Sequence, residues 1–289
     1  MEVRAVQRVE QILGWPTDVV EIDHHFRGVR ASLSQDEYTS ATNKTPHSLI
    51  LFVPGNPGAV GWYIPMLEDI VKTLGPGFGC RAISYAGHGV GAEFVDNDPG
   101  GKGRNRDVSV SWTVDGQVAH KIAWLDDIVL PRWRRRHAKS DKNPSSKPNM
   151  IFLSHSIGAH LINRLLILRP DILSVTLKIV HLMPFFRFDP DEQLKKSFLS
   201  TVARSPHLAV PFLQSIIRIA RSLPSGWVNN LMKDVAQISD SRDRKLAWDL
   251  YKQPKFIKNF LELGLEEIRE VPELHDVSCG NVNLLQLCR

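Results

Sequence analysis

Five residues, Ser154-His155-Ser156-Ile157-Gly158, stand between an apolar run, Met150-Ile151-Phe152-Leu153, and a segment of helical period, Ala159 to Leu168. A serine with a small residue two places before and two places after it, on a strand-to-helix turn, is held clear of the sheet. The turn is tight because strand and helix backbones approach closely there. The chemistry such a hydroxyl can do is nucleophilic acyl transfer, with Ser156 as the attacking group. The first small position is Ser154 where glycine is usual. A relaxed form of the pattern arises by chance in a chain this long roughly one time in four, so the strand before it and the helix after it carry the reading. The competing reading is an ordinary buried turn whose serine serves the helix terminus.

Acyl transfer also needs donors for the oxyanion of the tetrahedral intermediate, usually two preorganised backbone N–H groups. One is expected from Ile157, directly after the nucleophile at the helix N-terminus. The other is expected from the loop Pro54-Gly55-Asn56-Pro57-Gly58, most plausibly from Asn56, since Gly55 and Gly58 permit a tight turn and Pro57 has no N–H. The same loop is not a phosphate cradle: it lacks a Gly-Lys-[Ser/Thr] ending and the G-x-G-x-x-G spacing. No cofactor is expected, and Cys80, Cys279 and Cys288 have no metal-ligand spacing and form no disulfide framework.

The elements that would position these groups are legible in outline. Leu49 to Val53 is a continuous apolar run, which suits a strand buried on both faces. Trp62 to Leu74 repeats apolar residues at helical spacing and stops at Gly75-Pro76-Gly77. Cys80 to Tyr85 reads as a strand running into Ala86-Gly87-His88-Gly89, Val114 to Trp133 as a helix, and Leu177 to Met183 as a further strand. This alternation predicts an α/β fold with a mostly parallel sheet. Val19–Ile22 and Val29–Leu33 are expected to form an N-terminal hairpin. After the last strand the pattern is helical, and residues 189–262 are expected to form a cap inserted over a single domain spanning 1–289.

With 289 residues and 43% apolar content the chain can bury a sizeable core. The net charge of +5 is concentrated in Arg132 to Lys147, expected to be a solvated loop, and nucleic acid is not an expected partner. Charges interrupt the first residues, so secretion is not expected. The greasiest stretch, His207 to Leu223, is broken by Pro211, Gln214, Arg218 and Arg221, so any membrane contact should be peripheral. If Leu208 to Leu223 is helical, Leu208, Val210, Phe212, Leu213, Ile216, Ile217, Ile219, Ala220 and Leu223 share one broad face. That face can roof an apolar pocket or lie in a lipid interface.

Val53-Pro54-Gly55-Asn56-Pro57-Gly58 followed by Trp62-Tyr63, then Gln117-x-x-His120-Lys121, then His155-Ser156-Ile157-Gly158-Ala159 resembles the lipid droplet-associated hydrolase family of α/β hydrolases, over about Ser48 to Phe188. The resemblance implies an α/β-hydrolase fold and a serine hydrolase of lipid esters, sterol or acylglycerol esters among them. It implies action at a lipid droplet or the cytoplasmic face of the endoplasmic reticulum, or in the cytoplasm. The alternative reading is a catalytically weak or inactive scaffold of this fold that binds lipid surfaces or partners.

In this fold the acid and then the histidine follow the serine on loops after later strands. His88, His120, Lys121 and His155 are therefore read as structural. His160 lies in a helix, His181 in a strand and His207 before a cap helix, which leaves His275 as the positional candidate for the base. Asp189, Asp191 and Asp249 are acid candidates among which spacing selects none. Two further βα units need on the order of 60 residues, while Leu263 to Arg289 supplies 27 and begins with a charged helix, Leu263 to Glu273. The C-terminal strands are thus expected to be missing, with 273–289 an atypical tail and the chain a shortened or alternatively ended form of a longer hydrolase.

Overall fold

The computed structural model describes residues 2–25, 46–89, 113–137, 149–184, 206–234, 238–253 and 256–270. Its centre is a six-stranded sheet in the order β1-β2-β4-β3-β5-β6. The strands are β1 (Glu2–Ile12), β2 (Trp15–His25), β3 (Ser48–Val53), β4 (Phe78–Ile83), β5 (Asn149–His155) and β6 (Thr176–Leu182). β3 pairs in parallel with β4 and β5, and β5 with β6, while β1 and β2 run antiparallel at one edge. Among the described residues no strand follows β6.

β3 shows why its sequence is continuously apolar. Leu49, Leu51 and Val53 enter the cluster beneath α2 (Val114–Trp124) and α4 (Gly158–Leu168), while Ile50 and Phe52 enter the cluster beneath α1 (Ile64–Leu74) on the other face. A strand covered on both sides has no polar face to show. α1 ends at Gly75, whose φ of 86° suits a residue without Cβ. α2 passes through a π-helical turn, Leu125–Val129, into α3 (Leu130–His137), so the helix expected to end at Trp133 runs on. The wider turn falls directly before Pro131, which has no N–H to give to a regular ladder.

The structure differs from the sequence expectation at two places. The partner of Val19–Ile22 in the hairpin is β1, not Val29–Leu33, and residues 29–33 lie outside the described residues. The turn is Leu13-Gly14, with φ of 50° and 79°, which matches the twist of a two-residue hairpin. Arg132 to His137 is helical, not loop; Trp133 is buried, and Arg132 and Arg136 are ion-paired. The rest of that basic run, 138–147, lies outside the described residues.

The ion pairs join α3 to the sheet edge. Arg81 on β4 donates through both terminal nitrogens to Asp23, each at 2.9 Å, and Arg136 reaches Asp23 at 3.0 Å and Glu21 at 3.1 Å. Arg132 and Arg8 also reach Glu21, at 2.8 and 3.1 Å. Burial alone would raise both carboxyls, but the surrounding guanidinium groups hold Glu21 and Asp23 below their ordinary values.

α5 (Pro170–Leu173) closes the crossover before β6, and α6 (Pro206–Ala220), α7 (Ser225–Asp234), α8 (Ser241–Tyr251) and α9 (Phe256–Glu270) follow β6. The boundary expected at residue 262 falls inside α9, and the helix expected to begin at Leu263 begins at Phe256. The helix expected from Leu208 to Leu223 is α6, and its apolar residues divide. Ile217 and Ala220 turn inward, Ile217 against Leu250 and Phe256, while Phe212, Ile216 and Ile219 are exposed.

Candidate functional site

Ser156 is a non-glycine residue at φ +52°. That left-handed conformation costs a β-carbon residue roughly 1–2 kcal/mol and persists only where surroundings impose it. Here the imposing contacts are visible. The Ser156 N–H donates to Leu182 O at 3.0 Å, which ties the turn to β6, and its carbonyl accepts from Ala159 N–H at 3.0 Å, which starts α4. A Cβ on Gly158 would stand 2.5 Å from Val53 O and 2.6 Å from Pro54 O, so only glycine lets the helix start against the end of β3.

The Gly-rich loop comes to the same place. A Cβ on Gly55 would lie 2.8 Å from Ser156 Cβ and 2.7 Å from His155 Nδ1. The turn is closed by Gly58 N–H donating to Gly55 O at 2.7 Å, with Gly58 at φ +77° pressed on the Tyr85 ring. Tyr85 OH donates to Pro54 O at 2.7 Å and His88 Nδ1 donates to Pro57 O at 2.8 Å, so loop 54–58 is held from beneath by the segment after β4. Among the described residues, the N–H groups of Asn56 and Ile157 donate to no backbone carbonyl in the turns and loops. Acyl transfer at a serine requires two such donors placed to receive the oxygen of the tetrahedral adduct.

Beneath this lies a buried polar cluster. Thr17 Oγ1 donates to Trp15 O, so it accepts from His120 Nε2 at 2.9 Å, which leaves His120 Nδ1 to accept from Lys121 Nζ at 3.1 Å. Lys121 Nζ also donates to Ser84 O at 3.3 Å and Gln117 Oε1 at 3.0 Å, and it stands 4.5 Å from the centre of the Tyr85 ring. Burial pulls the pKa of both His120 and Lys121 well below ordinary values, and the acceptors and ring face offset part of that for the amine. The cluster braces Tyr85 and through it Pro54.

Among the described residues no histidine is seen hydrogen-bonded to the Ser156 hydroxyl, and His160 Nε2, buried in α4, has no partner there. His155 Nδ1 shares a 3.0 Å hydrogen bond with Tyr63 OH, and His181 Nδ1 a 2.6 Å bond with Ser154 Oγ; burial keeps both imidazoles below their usual pKa. His88 and His120 are engaged as above, and His160 is buried in α4. Asp249 on α8 is ion-paired with Lys245 and Lys252 at 2.7 and 2.9 Å. His275, Asp189 and Asp191 lie outside the described residues, as does the tail 273–289. Among the described residues no cluster of groups could hold a metal ion.

One functional neighbour escapes a reading of the sequence. α9 crosses the loop: Asn56 Nδ2 donates to Phe260 O at 3.3 Å and to Glu267 Oε2 at 3.5 Å, and Asn259 Nδ2 donates to Gly87 O at 3.1 Å. Glu267 is 8% exposed, and desolvation pushes its carboxyl up to about 8 despite the Asn56 hydrogen bond. The available sequence signal is Gly264, a glycine inside a charged helix, which marks a close approach; a Cβ there would stand 3.2 Å from Asn56 Nδ2.

Comparison with known proteins shows the family and the fold. A family described as lipid-droplet associated hydrolase matches residues 46–288. A human protein named lipid droplet-associated hydrolase is 25% identical over 138 residues, which cover 47% of this chain and 38% of that protein. Its mouse counterpart is 28% identical over 118 residues, 40% of this chain and 32% of that protein. The matched region thus spans well under half the length of these relatives. A solved structure of the epoxide hydrolase CorEH superposes with a TM-score of 0.54 at 10% identity, covering 94% of this chain and 77% of that one; at that identity the likeness shows the fold, which is that of the α/β hydrolases.

Proposed function

This chain belongs to the lipid droplet-associated hydrolase family, and from that premise we propose that it cleaves lipid esters, sterol or acylglycerol esters among them, through Ser156. The observation that supports the reading best is the strained turn at Ser156 with the Gly55 backbone packed on its Cβ. In the proposed reaction Ser156 Oγ attacks the ester carbonyl carbon and its proton passes to a base. The Asn56 and Ile157 N–H groups stabilise the oxyanion. Collapse of the adduct expels the alcohol, which takes up the proton, and leaves an acyl-serine that water hydrolyses to the free acid. The candidate for that base is His275, which lies outside the described residues. The test is fatty-acid release from emulsified cholesteryl and acylglycerol esters by the full chain. Release that depends on Ser156 supports the reading; intact esters after prolonged incubation with folded protein refute it.

A specific observation favours the second reading, a weak or inactive scaffold: no side chain among the described residues accepts a hydrogen bond from Ser156, and a serine without a base is a poor nucleophile. The two readings separate on turnover, since a scaffold binds lipid without releasing acid.

We place contact with a droplet or endoplasmic reticulum surface on α6 and α7. Phe212, Ile219 and Trp227 are 62%, 67% and 69% exposed, with Ile216 and Leu231 beside them, and Arg218, Arg221 and Lys233 exposed on the same two helices and their junction. Apolar side chains rimmed by cations suit a surface of anionic lipid heads over acyl chains. No helix is long and apolar enough to cross a membrane among the described residues. Phe212→Ser/Ile219→Ser/Trp227→Ser is expected to reduce binding to phosphatidylcholine–phosphatidylserine vesicles by at least tenfold, about what losing this apolar insertion costs, as read by vesicle co-sedimentation with circular dichroism as the folding control.

A further inference from the structure

We propose that Glu267 is a positioning residue of the oxyanion loop, its carboxyl holding the Asn56 side chain from above so that the Asn56 backbone N–H stays aimed beside Ser156. The inference rests on the reading of residues 54–58 as that loop, and it assigns a role to an acid that no part of the mechanism uses.

Three contacts seat α9 on the loop and on the segment after β4 that holds it. Phe256 packs edge-on against His88 with ring centres 6.0 Å apart, Asn259 donates to Gly87 O, and Gly264 leaves room for the Asn56 side chain to reach Glu267 Oε2. The pair is incomplete as it stands: Asn56 Oδ1 and Glu267 Oε1 are both buried with no hydrogen-bond partner among the described residues. A neutral carboxylic acid carries one O–H, which Asn56 Oδ1 can accept, while its other oxygen accepts from Asn56 Nδ2. A carboxylate can only accept, and would leave Asn56 Oδ1 orphaned and place a negative charge next to the site where an oxyanion forms. Burial, which pushes the Glu267 carboxyl up to about 8, keeps the acid neutral at physiological pH and lets it ionise above that value.

The other ionisable groups do not blur that transition. On α9 itself Glu266 adds to the upward push, while Glu262 is paired with Lys258. Behind Asn56 stands Tyr85, whose phenol is pushed well above its usual value, first by burial and then by Glu267 and Tyr63. Lys121 of α2 stands over the Tyr85 ring. On α8, Asp249 is held by Lys245 and Lys252, and on α6 the described cation, Arg218, is exposed.

The experiment compares wild type with Glu267→Gln, whose amide is a neutral stand-in for the protonated acid, and with Glu267→Leu, which removes the contact. The rate of Ser156 modification by a fluorophosphonate is followed from pH 6 to 10. The ratio of the Glu267→Gln rate to the wild-type rate is expected to rise by about tenfold between pH 7 and pH 9.5, since a charge opposing the oxyanion acts on wild type alone. Glu267→Leu should react several-fold more slowly than wild type at pH 7. In parallel, selective ¹⁵N-asparagine labelling reads the Asn56 backbone and side-chain resonances, which are expected to move with a midpoint near pH 8 in wild type and to stay put in Glu267→Gln. This second readout needs no reactive serine, so failure of Ser156 to react in any variant counts against the proposed function, whereas Asn56 resonances that ignore pH, or titrate identically in both proteins, overturn the role of Glu267.

Discussion

Replacing Ser156 with alanine is expected to lower ester hydrolysis by about 10⁴- to 10⁶-fold while leaving the fold intact, measured as acid release per folded molecule. The attacking oxygen disappears, and alanine carries the same Cβ into the same backbone conformation, so little else changes. Glycine at this position separates chemistry from strain. The φ of +52° is a strained setting for serine and an easy one for glycine. Ser156→Gly should therefore abolish hydrolysis to the same extent and raise stability by about 1 kcal/mol in chemical denaturation. A Ser156→Ala protein that hydrolysed esters at the wild-type rate would remove this residue from the reaction.

The second large effect is on stability. Arg81→Met is expected to cost about 3 kcal/mol at pH 7, the low end for removing one partner of a buried ion pair, because Arg136 still reaches Asp23. The bidentate bond from Arg81 to Asp23 is lost, and the approach of its Nε to Glu21 at 3.9 Å with it. The pH dependence has a definite sign. Both carboxyls have folded pKa values below their ordinary 4.5 and 3.8, so the stability they contribute is present above those values and is lost as pH falls through the lowered ones. The gap between wild type and Arg81→Met should consequently be widest at neutral pH and narrow on acidification. Equal unfolding midpoints at pH 7 would show that the network is not stabilising the edge of the sheet.

Much of this architecture can be read from residues that have little freedom. β3 and β5 are apolar runs because helices cover both faces, and α1 stops where Gly75 has to take a positive φ. The geometry of residues 154–158 is similarly constrained, since Gly158 is pressed on carbonyl oxygens and admits no side chain. Other features depend on contacts between distant segments, which spacing alone does not encode. The pairing of β2 with β1 is set by the two positive-φ residues Leu13 and Gly14, and leucine gives no warning of such a turn. The cations of α3 look like solvated charge until Glu21 and Asp23 arrive from more than 100 residues away. Glu267 reads as one more acid in a charged helix, because its burial comes from the loop beneath it and not from its own neighbours. Spacing alone leaves the α6 face open between roof and interface, and the helix uses Ile217 and Ala220 inward while presenting Phe212 and Ile219 outward.

The central claim, that the Ser156 hydroxyl stands on a strained turn where two backbone amides can receive an oxyanion, is tested most directly by mapping the adduct of a fluorophosphonate by peptide mass spectrometry. One phosphonyl group per molecule is expected, carried by the peptide containing Ser156 and absent from the Ser156→Ala protein. An unmodified Ser156 peptide in folded protein, or equal modification of the alanine variant, would contradict it.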